Sequence, residues 1–154
     1  ATKGARNVIS GNWGGGIRLD GVGVRYNSIM GNYIGTDASG TLALPNQYGG
    51  IGISGAEHNF VQDNLVAYNE KVGIYIKPGK ENRIHHNSLI KNGANGSDEG
   101  NNNRWDDGHE GNYWSDYNGK DENGDGIGDI PHPVPTNGVD NRPLMKPTMA
   151  FKPR

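Results

Sequence analysis

The chain has 154 residues, enough for one domain, but only 32% are apolar and 26 are glycine, which excludes a densely packed helical bundle. With 15 basic and 17 acidic residues and a net charge of −2, it has no electrostatic footprint for nucleic acid or anionic lipid. Cysteine is absent, which excludes disulfides and thiolate metal sites, and no apolar run approaches the roughly 18 residues of a membrane span.

In chain order, four segments share the pattern Asn-x-apolar-x-x-Asn, namely Asn7 to Asn12, Asn27 to Asn32, Asn59 to Asn64 and Asn82 to Asn87. Between them run Gly16-Ile17-Arg18-Leu19, Gly50-Ile51-Gly52-Ile53 and Gly73-Ile74-Tyr75-Ile76, with apolar residues two apart and so on one face of a strand. Each ends in a glycine-containing turn. A strand, turn and strand in about 20 to 25 residues has the length of one solenoid coil. The longer second interval contains a polar excursion from Thr36 to Gln47.

These features predict an all-β, right-handed parallel β-helix of about four to five coils over residues 1–103, with an irregular cap over 104–154. Ile9, Ile29, Val61 and Ile84 are expected in one apolar column and Ile17, Ile51 and Ile74 in another. Asn12, Asn32, Asn64 and Asn87 are expected to stack as a structural asparagine ladder. A solenoid end exposes core and strand edges, and Trp105, Tyr113, Trp114 and Tyr117 are expected to cover it.

The stretch Asp121-Glu-Asn123-Gly-Asp125-Gly-Ile127-Gly-Asp129 fits D-x-N-x-D-G-x-x-D. Oxygen donors at alternating positions, a carbonyl at Ile127 and a further carboxylate at Asp129 predict a freestanding calcium loop, completed by Asp116 or Asp140. Calcium in turn predicts a secreted, cell-surface or periplasmic location.

The run from Gly111 to Met145, GNYWSDYNGKDENGDGIGDIPHPVP followed by VDNRPLM, resembles the C-terminal end of NosD-type β-helix proteins and related bacterial and archaeal surface proteins. The stretch from Gly31 to Thr41 is similar to repeats of large bacterial surface proteins. The resemblance implies the β-helix fold and, for the NosD type, a part in copper-site maturation in the periplasm.

Three functions are expected to compete. The first is a non-catalytic, calcium-stabilised module for polysaccharide binding or surface assembly, with Trp13, Tyr33, Tyr68 and Tyr75 as sugar contacts and head-to-tail self-association. The second is a lyase or epimerase on uronic-acid glycans, for which Lys77, Arg83, His85 and Tyr75, with Asp63 nearby, supply charge neutralisation, acid and base. Alternation along a strand allows only one of His85 and His86 into such a site. The third, following the resemblance, is copper handling by some of the five histidines, at 58, 85, 86, 109 and 132.

Overall fold

The computed structural model describes residues 6–148 and shows a right-handed parallel β-helix of triangular cross-section. One face stacks β1 (Val8–Ile9), β4 (Tyr33–Ile34), β7 (Leu65–Ala67), β10 (Ser88–Ile90) and β12 (Tyr113–Trp114) in parallel. A second stacks β2 (Gly15–Asp20), β5 (Gly49–Ser54), β8 (Val72–Ile76) and β11 (Ala94–Asp98). The third consists of β3 (Ser28–Met30), β6 (Phe60–Gln62) and β9 (Arg83–His85). Parallel pairing continues past residue 103, through the bridge Arg83 to Arg104 and the pairing of β10 with β12.

Inside the triangle, Ile29 stacks on Val61 and Ile84, and Ile17 on Ile51 and Ile74, as the column reading expects. Ile9 does not join the first column. Its strand pairs with β4, so it stands on Ile34.

The same shift corrects the ladder. Asparagines stack at all three corners: Asn27, Asn59, Asn82 and Asn103 at the first, and Asn7, Asn32, Asn64, Asn87 and Asn112 at the second. The third corner carries Asn12, Asn46, Asn69 and Asn92, so Asn12 belongs there and not with Asn32. Successive corner asparagines such as Asn59, Asn64 and Asn69 are equally spaced along the chain. The pattern Asn-x-apolar-x-x-Asn therefore describes two adjacent faces, and its first occurrence lies on a different face from the others.

Each step has one geometry. The Oδ1 of Asn87 accepts both the backbone N–H (3.1 Å) and the Nδ2–H (3.0 Å) of Asn64, and Asn87 donates in the same way to Asn112. Its Nδ2 also donates to the carbonyls of Val61 (2.8 Å) and His85 (3.0 Å). Among the described residues no buried side-chain polar atom lacks a partner, the condition under which a buried polar network stabilises a fold.

The corners also impose a backbone conformation. All eight non-glycine residues with positive φ among the described residues immediately precede a ladder asparagine: Tyr26, His58 and Glu81, with Asn102, at the first corner, Asp63 and His86 at the second, and Tyr68 and Lys91 at the third. Gly11 and Gly31 fill equivalent positions. A left-handed residue turns the chain sharply, and the asparagine that follows locks the turn through its bonds to the neighbouring coil.

The excursion after Thr36 is a small hairpin with an antiparallel bridge from Thr36 to Ala43. Asp37 holds it by accepting from the N–H groups of Leu42 and Thr41 and the hydroxyl of Ser39, bonds that bring its carboxyl down to about 2. At the C-terminal end, Trp105 and Trp114 are buried, with ring centroids 5.6 Å apart, under the hairpin of β13 (His132–Val134) and β14 (Gly138–Asp140). Each ladder ends on a carboxylate: Asn103 donates to Asp98, Asn112 to Asp140 and Asn95, next after Asn92, to Asp116.

Candidate metal centre

Strand β9 ends at His85, and His86 occupies the left-handed position of the second corner with φ 55°. In a continuous strand the two rings would point to opposite faces. The turn at His86 breaks that alternation, which corrects the expectation that only one of them can serve a site. Ile84 and Asn87 take the interior positions, and both imidazoles stand outside the coil, edge to face with centroids 4.8 Å apart and Nδ1 atoms 3.0 Å apart.

The next coil supplies carboxylates. Asp107 accepts the N–H groups of His109 and Glu110 through Oδ1, at 2.8 Å each, and donates its own N–H to the Glu110 carbonyl. This tight turn leaves Asp107 Oδ2 at 3.7 Å and Glu110 Oε2 at 3.0 Å from His86 Nε2. The His86 N–H is bonded to the carbonyl of Gly111 at 2.7 Å, which ties the turn to the corner. One donor atom each from His85, His86 and Asp107 lie within 4.8 Å of one another.

The surroundings favour a neutral His85 ring and a charged Asp107 carboxylate. Burial, and after it the charge of His86, pushes His85 below its usual value. The Glu110 N–H bond first, with the His109 N–H and the neighbouring histidines, holds Asp107 below the ordinary carboxylate range.

The other expected site residues do not gather. Tyr75 and Lys77 sit on or just after β8, with Lys77 paired to Glu99 at 3.3 Å, whereas Arg83 and His85 belong to β9 on another face. Of the expected sugar contacts, Trp13 is 83% exposed but Tyr33 is buried, packed with Leu65, Ala67 and Ile90, and Tyr68 packs against that cluster. Tyr75 lies over Gly52, where a Cβ would meet its hydroxyl at 2.4 Å. These four form no common face. His132 packs on Trp114 with centroids 4.5 Å apart, and burial lowers its pKa.

The family model of the periplasmic copper-binding protein NosD matches residues 5–119. The chain belongs to the NosD family. A protein of Stutzerimonas stutzeri described as a probable ABC transporter binding protein NosD is 30% identical over 129 residues, covering 76% of this chain. The chain spans 28% of that protein's length. No solved structure matches. The NosD family is periplasmic, in agreement with the exported location expected from the sequence. Among the described residues no helix is long and apolar enough to cross a membrane.

Membership corrects the calcium assignment, because the NosD family is described as copper-binding. The Asp121 to Asp129 loop is held by hydrogen bonds within itself. Asp121 accepts the N–H groups of Gly124, Asp125 and Gly126, Asp125 that of Ile127, and Asp129 that of Glu122. Asn123 accepts from the Asp125 N–H and donates to its carboxylate. The loop oxygens thus satisfy the loop's own backbone, and Ile127 bridges Leu144. Neither expected completing residue faces it as a ligand, since Asp140 is buried on Trp114 and Asp116 accepts from Asn95.

Asp107 and Glu110 were not legible as site residues from spacing along the chain. Their signal is the ladder: Asn87 and Asn112 stack, so whatever precedes one lies beside whatever precedes the other.

Proposed function

We propose that this chain is a copper-handling segment of NosD-type β-helix that holds Cu(II) at His85, His86 and Asp107. The observation that carries the reading is the 3.0 Å approach of the two Nδ1 atoms. Donors bound at about 2.0 Å and at right angles in a tetragonal ion stand about 2.8 Å apart, so the pair fits two adjacent positions. The Glu110 carboxylate beside Nε2 assigns the His86 proton to that atom, leaving the Nδ1 lone pair for the metal. Asp107, with one oxygen within 4.8 Å of a ring nitrogen of each histidine, is close enough to add an anionic donor by a side-chain rotation.

Two imidazoles with a carboxylate suit Cu(II) better than Cu(I), which prefers thiolate and thioether ligands, and the chain has no cysteine. The lowered pKa of His85 keeps the ring neutral, the form that ligates, near neutral pH. A site outside the coil on half-buried side chains allows the ion to enter and leave, as handling requires, whereas a storage site would be enclosed.

Titration of the metal-free chain with Cu(II), followed by electron paramagnetic resonance, tests this. One equivalent with nitrogen hyperfine structure is expected, lost in His85→Ala/His86→Ala. Unchanged stoichiometry and spectrum in that double variant would refute the assignment.

A further inference from the structure

A different corner carries a second site. A groove of about 670 Å³ runs along the first corner, lined by Tyr26, His58, Phe60, Glu81, Arg83 and Arg104 among others. One wall consists of the left-handed residues Tyr26, His58 and Glu81, and the other of Phe60, Arg83 and Arg104, stacked coil on coil by parallel pairing. Buried Asn59 and Asn82 separate the walls, since each left-handed residue precedes a ladder asparagine and each second-wall residue follows one.

The walls differ in how their charges are met. The first is internally satisfied, with Tyr26 stacked on His58 at 5.6 Å and His58 Nε2 2.9 Å from Glu81 Oε2. On the second, the Arg83 guanidinium lies 5.9 Å from the Phe60 ring centre, and among the described residues neither Arg83 nor Arg104 has a carboxylate within 4.0 Å. Nearby cations have a carboxylate partner, since Lys80 pairs with Glu57 at 3.1 Å and Arg25 reaches the same carboxylate at 3.9 Å. Like charges in register on adjacent strands repel, so Arg83 above Arg104 costs stability unless an anion spans them.

We infer that this groove binds an acidic oligosaccharide, a chain of sugar rings bearing carboxylates. Bidentate guanidinium recognition suits a carboxylate. The ring face of Phe60 suits the apolar face of a pyranose. The side chains of Arg83 and Arg104 recur at the coil spacing, about 4.8 Å, which favours a ligand that itself repeats its carboxylates. Glu81 on the facing wall disfavours a densely charged polyphosphate and favours a ligand whose carboxylates alternate with hydroxyls. The inference is independent of copper.

The test is calorimetric titration of the full chain with tetragalacturonate, beside a neutral galactose tetrasaccharide and inorganic phosphate. Binding of the acidic chain is expected, about tenfold weaker or worse in Arg83→Gln/Arg104→Gln, as loss of charge-assisted hydrogen bonds dictates. It should be unaltered in His85→Ala/His86→Ala, which separates it from the copper site. If the Gln pair unfolds, Arg83→Lys/Arg104→Lys replaces it, with a several-fold loss expected from the missing bidentate geometry. Absence of binding, equal affinity in the arginine variants, or equal binding of the neutral chain or of phosphate overturns the inference.

Discussion

The Asp121 to Asp129 loop and the corner at His85 and His86 are both rich in metal-ligating side chains, and they use them in opposite ways. In the loop, donors alternate at ideal spacing, yet the carboxylates of Asp121, Asp125 and Asp129 are turned onto backbone N–H groups of the same loop. At the corner no spacing motif exists. Two imidazoles nonetheless converge to 3.0 Å because one left-handed residue breaks the strand alternation and the next coil brings carboxylates alongside. Proximity in sequence makes a turn, and stacking between coils makes the candidate site.

The strongest way to break the contrast is to remove the asparagine beneath the corner. Asn87→Ala deletes an acceptor for Asn64 and donors to Val61, His85 and Asn112. It should cost about 3–5 kcal/mol in urea unfolding, the scale of orphaning a buried network, and abolish copper binding as well. A loss under 1 kcal/mol would show the ladder to be incidental.

Next in size is a pH effect at the end of the same ladder. Burial lifts Asp140 to about 6, against hydrogen bonds from Trp114 and Asn112 that favour its charge. The folded state therefore holds this proton more tightly than the unfolded state. The stability it contributes is fully present below the ordinary value of 3.8 and is lost as pH rises through 6, about 2–3 kcal/mol in all. Parallel unfolding series of the metal-free wild type and Asp140→Asn should diverge between pH 4 and 7 by this amount, and parallel curves would contradict it. The depressed His132 acts in the opposite sense, losing stability as pH falls below 6.5, and cancels in the difference.

His86→Gly sharpens the comparison by separating site from scaffold. Glycine accepts a φ of 55° without strain, so stability should stay within about 1 kcal/mol while copper affinity drops at least about 100-fold. Glu110→Gln, which weakens the partner of Nε2, should cost about tenfold in affinity. In the loop the pattern inverts. Asp121→Ala should cost about 1–2 kcal/mol, from three backbone hydrogen bonds, and leave copper titration untouched. A change in copper stoichiometry there would return the loop to the list of metal sites.

The sequence by itself determined the coil. Alternating apolar residues such as Ile51 and Ile53 can bury one face only by stacking, and recurring asparagines mark the corners where a buried amide must find a partner. That aromatic residues gather at the solenoid end was equally legible, although Trp105 and Trp114 fill the interior of the last coil and the β13–β14 hairpin covers them. Tertiary structure alone decided three matters. It set the register of the first coil, since equal spacing between corners left Asn12 equally compatible with two ladders. It turned the acidic loop inward on itself, because a spacing motif shows which oxygens are near one another and not which donors satisfy them. It also brought His85 and His86 together and set Asp107 and Glu110 beside them, through a backbone conformation and an inter-coil register that no local pattern in the chain encodes.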